Sequence, residues 1–329
     1  MINRFNIYDK LGAPQPFDPN ASFTTSPFLS PFALAAVRLT FAFYTLFTLI
    51  FVLVWDAVRL HTAHAFFSYF TELSYIGLCS YFFASGVQTL VYALSQGRSY
   101  PLERWPKILQ FLHVLLFTTI STFPILVTIV FWGALFPGNP FTDKFDAWSN
   151  VSLHALNTVF SLFEILFTHA GPTPWLHIPF VVIFLGCYLA VAYITHATQG
   201  FYTYSFLNPA KEGKTLAGWI VGIAAAGVII FCITRSICVL RERLVRRSSV
   251  SRFSDAGDTE LPNERLDEWE TVELDRSTRM GARVEKGGVR GKKSVESHLH
   301  SGEGGDTSFE TDEKAGMRMN LGRRRNELV

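Results

Sequence analysis

Six polar residues recur at helical spacing inside one apolar run: Asn150, His154, Asn157, Ser161, Glu164 and Thr168. At about 100° per residue they fall within roughly 80° of one another, so a helix gives them a single face. A second apolar run carries Ser74, Tyr81, Ser85, Gln88 and Tyr92 on one face by the same arithmetic. The chemistry open to such a set is acyl transfer. A Ser or Thr hydroxyl is a weak nucleophile until a base takes its proton. His is the base suited to neutral pH. Ser74 and His154 form the candidate pair. The plainer reading of the same residues is polar contact between helices.

The elements that must position them are membrane spans. The chain has 329 residues, 49% of them apolar, and divides near residue 240. Before it, charged residues are sparse, too sparse for the surface of a soluble domain; after it, they are dense. Six runs reach the roughly 20 apolar residues that a hydrocarbon core requires: 32–55, 73–95, 108–136, 147–168, 176–198 and 216–240. The spacing therefore predicts an all-α, polytopic transmembrane bundle of about six helices over 32–240. It is preceded by segment 1–31 and followed by a disordered tail, 241–329.

Trp55, Trp105, Trp132, Trp148, Trp175 and Trp219 sit near run ends, as interfacial anchors do. Arg4, Lys10, Arg98, Arg104, Lys107 and the arginines from Arg241 to Arg252 fall on one side. Arg59, Lys144, Lys211 and Lys214 fall on the other. The positive-inside rule then makes both termini cytoplasmic. Asn20-Ala21-Ser22 is a glycosylation sequon, and a glycan there would contradict that orientation. With this topology Ser74 and His154 lie at similar depth near the opposite face. His196 and Tyr204 follow at the end of the fifth run.

Four cysteines form no CxxC pair, so neither a disulfide framework nor a zinc knuckle is indicated. His154 and His196 are too few for a zinc site, and no metal or cofactor is expected. The first thirty residues lack a cleavable signal pattern, so the first run reads as a retained span. Arg246-Arg247-Ser248-Ser249 resembles a basophilic-kinase site, making a kinase acting near Ser249 a candidate partner. The simpler reading is a positive flank.

At the polar stripes the chain resembles the androgen-induced gene and androgen-dependent TFPI-regulating protein family of multi-span membrane proteins. The similarity runs through Asn150-x-x-x-His154 followed by Glu164, and through Leu73-Ser74-Tyr75-Ile76-x-Leu78. It continues through His196-x-Thr198 with Gly200, Tyr204 and Phe206-Leu207, and more loosely through Phe123-Pro124 and Phe131-Trp132. It covers roughly residues 32–240. The resemblance implies an intramembrane hydrolase of fatty-acid esters of hydroxy fatty acids, using a Thr nucleophile and a His. His154 takes the His position and Ser74 the Thr position, a departure in residue type; Thr71, one turn earlier, is the alternative match.

On that reading membrane lipid is the surroundings and a lipid ester the substrate. Asn150 orients His154, and Asn157, His196 or Tyr204 supplies the oxyanion donor. Glu164, ten residues past His154 and roughly 15 Å along the helix, reads as a structural member of the stripe. His113 reads as interfacial. The membrane is expected to be endomembrane (endoplasmic reticulum) or plasma membrane. Two other classes fit the stripes: a His-ligated metal or haem protein, and a non-catalytic transporter, channel or lipid-binding scaffold.

Overall fold

The computed structural model describes residues 7–136, 141 and 143–257, those after Arg246 by backbone alone. Among the described residues six helices are long and apolar enough to cross a membrane: Pro31–Leu60, Phe70–Leu94, Lys107–Leu135, Lys144–Phe167, Trp175–Gln199 and Thr215–Arg246. The chain is an integral membrane protein built as an all-α bundle of these six spans.

Local sequence explains the helix ends. Ser30 caps the first span by accepting from the Ala33 amide, with Pro31 in the opening position. Asp143 caps the fourth span by accepting from the Asp146 amide. The fifth ends on Gly200 at φ +82°, a left-handed residue whose amide donates to the His196 carbonyl. The second and fourth helices start at Phe70 and Lys144, each three residues before its apolar run. Their polar first turns escape a count of apolar residues. The sixth continues as helix to Gly257, beyond the run that ends at 240. Its Arg-, Glu- and Ser-containing continuation meets no Gly or Pro before that point. Residues 258–329 and the Ser249 side chain lie outside the described residues.

Lipid tails are as apolar as the side chains here, so close packing and polar links fix the bundle rather than escape from water. Tyr75, Leu78, Phe82, Phe117 and Phe160 pack the first four spans together. Leu126, Val181 and Phe231 join the third, fifth and sixth. The first four spans hold the deepest core, and the fifth and sixth leave most of their surface outward.

The main polar link is an ion pair. Arg38 and Glu164 are both fully buried, with Nε and Nη2 donating to the two carboxylate oxygens at 2.8 and 2.7 Å. Tyr81 donates to the same carboxylate at 3.0 Å, and Arg38 Nη1 reaches the Phe23 carbonyl and the Thr89 hydroxyl. Glu164, the acidic member of the polar stripe, is thus held by the arginine of the first span.

The segment before the first span is docked into one end of the bundle. Ala13, Phe17 and Ala21 are buried against Tyr100, Leu102, Phe111 and Val114. Tyr100 donates to Asp18 at 2.6 Å, and the Asp18 carboxylate caps the Ser22 and Phe23 amides. His177 Nε2 lies 3.1 Å from the Leu11 carbonyl. A carbonyl only accepts, so Nε2 carries the proton and Nδ1 receives the Thr118 hydroxyl at 2.7 Å. The His169 amide donates to the Thr25 carbonyl. Gly12 sits at φ +84°, and a Cβ there would come within 2.9 Å of Pro174 and Val114. His113 is buried against the rings of Tyr81 and Phe23.

The sixth span closes the same end. Arg241 donates to the Ile165 and Ala170 carbonyls at 2.6 and 2.5 Å, where the fourth helix runs out of amide donors. Arg235 donates to the Thr173 carbonyl and lies over the Trp175 ring, 4.5 Å from its centroid.

Candidate active site

The fourth span is not a uniform helix. Its middle, Ser152–Leu156, is a π-helical turn with α-helix on both sides. Such bulges widen the backbone and recur at functional sites. His154 sits in this one. Its own carbonyl is reached by Thr128 Oγ1 at 2.7 Å and Trp132 Nε1 at 2.9 Å, both from the third span. The imidazole lies flat on Phe131, with ring centroids 3.6 Å apart and planes 11° apart. Phe131 itself opens the π-helical turn that ends the third span.

The ring's hydrogen bonds fix its tautomer. Nδ1 lies 3.2 Å from the Asn150 carbonyl. That oxygen can only accept, so Nδ1 carries the proton and Nε2 keeps its lone pair. Nε2 faces the Thr71 hydroxyl at 3.4 Å. The distance is long for a hydrogen bond, but an unliganded site is commonly looser than its substrate complex. Thr71 is in the first turn of the second span and is buried. Tyr204, half-buried, interacts with the side chains of Thr71 and Tyr188. Burial, then the neighbouring Tyr188 and Glu72, holds its phenol well above the ordinary range, so it remains a proton donor.

An apolar cavity of about 200 Å³ lies beside this cluster. Thr71, Tyr188 and Tyr204 supply its polar groups; Phe70, Phe131 and Gly186 are among its apolar walls. Val182 and Gly186 are exposed as well as lining it, so it reaches the bundle surface at the fifth span. A 150 Å³ apolar cavity holds benzene, so this one has room for a short stretch of acyl chain.

The residues singled out by sequence divide between this cluster and other duties. Ser74, the favoured hydroxyl, is not against His154: its Oγ donates to the Thr71 carbonyl at 3.0 Å. Ser and Thr hydroxyls on a helix commonly bond back to the preceding turn in this way. Asn150 orients the imidazole with its main-chain carbonyl, while its side-chain amide donates to Asp146. Asn157 donates to the Pro124 carbonyl at 3.4 Å and accepts from the Thr128 hydroxyl at 3.1 Å, tying the fourth span to the third. His196 stacks on Tyr202 at 3.8 Å and does not line the cavity. Glu164 is held by Arg38. Phe131 is apolar, and its one sequence signal is its place in Phe131-Trp132.

Among the described residues no group of three or more His, Cys, Asp or Glu is arranged to hold a metal ion. No protein-family model, curated protein or solved structure matches the chain.

Proposed function

We propose that this membrane protein hydrolyses lipid esters within the bilayer, with Thr71 as nucleophile and His154 as base. One observation carries the reading: a hydroxyl faces the lone pair of a tautomerically fixed imidazole at the wall of an apolar cavity. The acyl chain enters beside the fifth span and lies in the cavity, bringing its carbonyl to Thr71. His154 Nε2 takes the Thr71 proton as Oγ1 attacks, and Tyr204 donates to the developing oxyanion. The tetrahedral intermediate collapses, the alkoxide leaves with the proton from His154, and an acyl-threonine remains. Water then attacks, His154 again taking and returning the proton. Thr71 replaces Ser74 as the favoured nucleophile, which restores the residue type implied by the family resemblance.

Both termini are proposed to be cytoplasmic, in an endomembrane or the plasma membrane. The test of function is hydrolysis of fatty-acid esters by purified protein, with fluorophosphonate labelling mapped to Thr71. A folded protein that neither labels nor hydrolyses would leave the cavity to a lipid-binding or transport role.

A further inference from the structure

A second chamber, of about 410 Å³, adjoins the start of the same helix. Its walls include the carboxylates of Asp56 and Glu72, the rings of Phe66, Tyr69 and Phe201, and His64. Among the described residues no Lys or Arg lines it. Arg59, the cation nearest Asp56 in sequence, lies over the Trp55 ring at 5.7 Å. The chamber is thus lined by two carboxyl groups and by aromatic rings.

Glu72 supplies the second observation. Its Oε2 is buried and has no hydrogen-bond partner. A carboxylate oxygen removed from water without a donor is costly. A bound cation removes that cost. The Tyr69 phenol responds to the same environment: burial, then Glu72 and Asp56, pushes it above its ordinary range. It therefore stays neutral and presents a ring face rather than a competing charge.

The kind of cation follows from the walls. A divalent metal would want a convergent set of oxygen or nitrogen ligands, and the described residues form no group of three. Aromatic faces beside carboxylates are instead the recognition chemistry of organic ammonium groups. We propose that this chamber binds an organic ammonium group, such as a trimethylammonium, between Glu72, Asp56 and the aromatic rings.

Its position suggests which molecule carries that group. Tyr69 and Glu72 border the chamber, whereas Phe70 and Thr71, between them in sequence, border the apolar cavity. The two sites thus lie on different sides of one helical turn, with the Thr71 hydroxyl on the acyl side. A lipid ester with its acyl chain in the cavity places its head group in the chamber. This head-group role rests on the reading of Thr71 and His154 above; the ammonium site itself does not.

The test uses the full chain in maltoside micelles, which carry no ammonium. Choline and its uncharged tert-butyl analogue are titrated by calorimetry. Choline is expected to bind saturably and the analogue not, with Glu72→Gln weakening choline by roughly tenfold or more, as loss of a close charge contact requires. Phe201→Leu, in a loop outside the spans, is expected to weaken choline by roughly threefold, and serves if Glu72→Gln unfolds. Thr71→Ala should bind choline as the wild type does. Equal binding of choline and the analogue, or choline binding indifferent to both substitutions, overturns the site.

In a second arm, esters with choline and neutral head groups are compared by kcat/KM. A choline preference lost in Glu72→Gln supports the head-group role. Choline binding without any such preference overturns that role and assigns the site to a free ammonium ligand. Failure of the hydrolase reading appears separately, as ester hydrolysis that survives Thr71→Ala.

Discussion

Arg38 and Glu164, 126 residues apart in sequence, meet as a two-point ion pair with neither side chain exposed. Breaking a buried pair from one side leaves an uncompensated charge, at a cost of about 3–5 kcal/mol. Glu164→Ala is therefore expected to lower the unfolding temperature sharply in detergent. The double replacement Arg38→Met with Glu164→Leu should be milder than either single change, because no charge is stranded. Additive losses in that cycle would show that the two residues act separately.

The arrangement at Thr71 separates two hydroxyls three residues apart. Removing the base in His154→Ala should lower kcat by roughly 10²–10⁴-fold. Thr71→Ala should abolish acyl-enzyme formation, and Thr71→Ser should restore part of it. Ser74→Ala should stay near wild type, since that hydroxyl is spent on the Thr71 carbonyl. Normal labelling of Thr71→Ala, lost in Ser74→Ala, would falsify the assignment.

Gly186 offers a test of the cavity. A Cβ placed there meets no atom within 4 Å, so Gly186→Leu has room to enter the space that the glycine leaves. Turnover of long-chain esters should fall more than that of short-chain ones. Leu also favours the helix by roughly 1 kcal/mol, so the unfolding temperature should not drop. A uniform loss across chain lengths would show that the acyl group lies elsewhere.

His169 predicts a pH response of stability. It lies between spans, 3.0 Å from the Thr25 hydroxyl. Burial, then the Arg241 charge, holds its pKa below the ordinary value. The folded state thus binds this proton less tightly than the unfolded chain. Its contribution is complete above the unfolded pKa of about 6.5 and declines as pH falls through the window below it. Unfolding temperatures of wild type and His169→Asn, taken from about pH 7 to pH 5, should converge toward the acid end. Parallel curves would show that His169 does not report this environment.

Much of the bundle is legible in the apolar runs, because a bilayer demands a fixed length of apolar helix and little else supplies it. The polar stripes likewise mark inward faces, since lipid tolerates few such groups elsewhere. Partners are harder to read. Glu164 was visible, but its pairing with Arg38 depends on the rotation of two helices that no local pattern sets. Thr71 and Ser74 differ by about 60° around a helix and about 4.5 Å along it. Choosing between them requires the helix start and rotation, and apolar counting begins at Leu73 rather than Phe70. The π-helical turn under His154 is silent in composition, yet it gives the imidazole its setting. The docking of segment 7–30 has no local signal, since the residues that secure it, including Tyr100, His169 and His177, are far away in sequence.

The arginines of the last span have a consequence for biosynthesis. Ile165, Ala170 and Thr173 offer carbonyls near the close of the fourth span, and their donors, Arg241 and Arg235, are made only some sixty to seventy-five residues later. A nascent chain that has inserted five spans still lacks those donors. The docked segment before the first span also waits for His169 and His177 before it can seat. The segment before the first span and the close of the sixth span therefore lock the same end of the bundle, and translation must pass residue 241 before that end can be sealed.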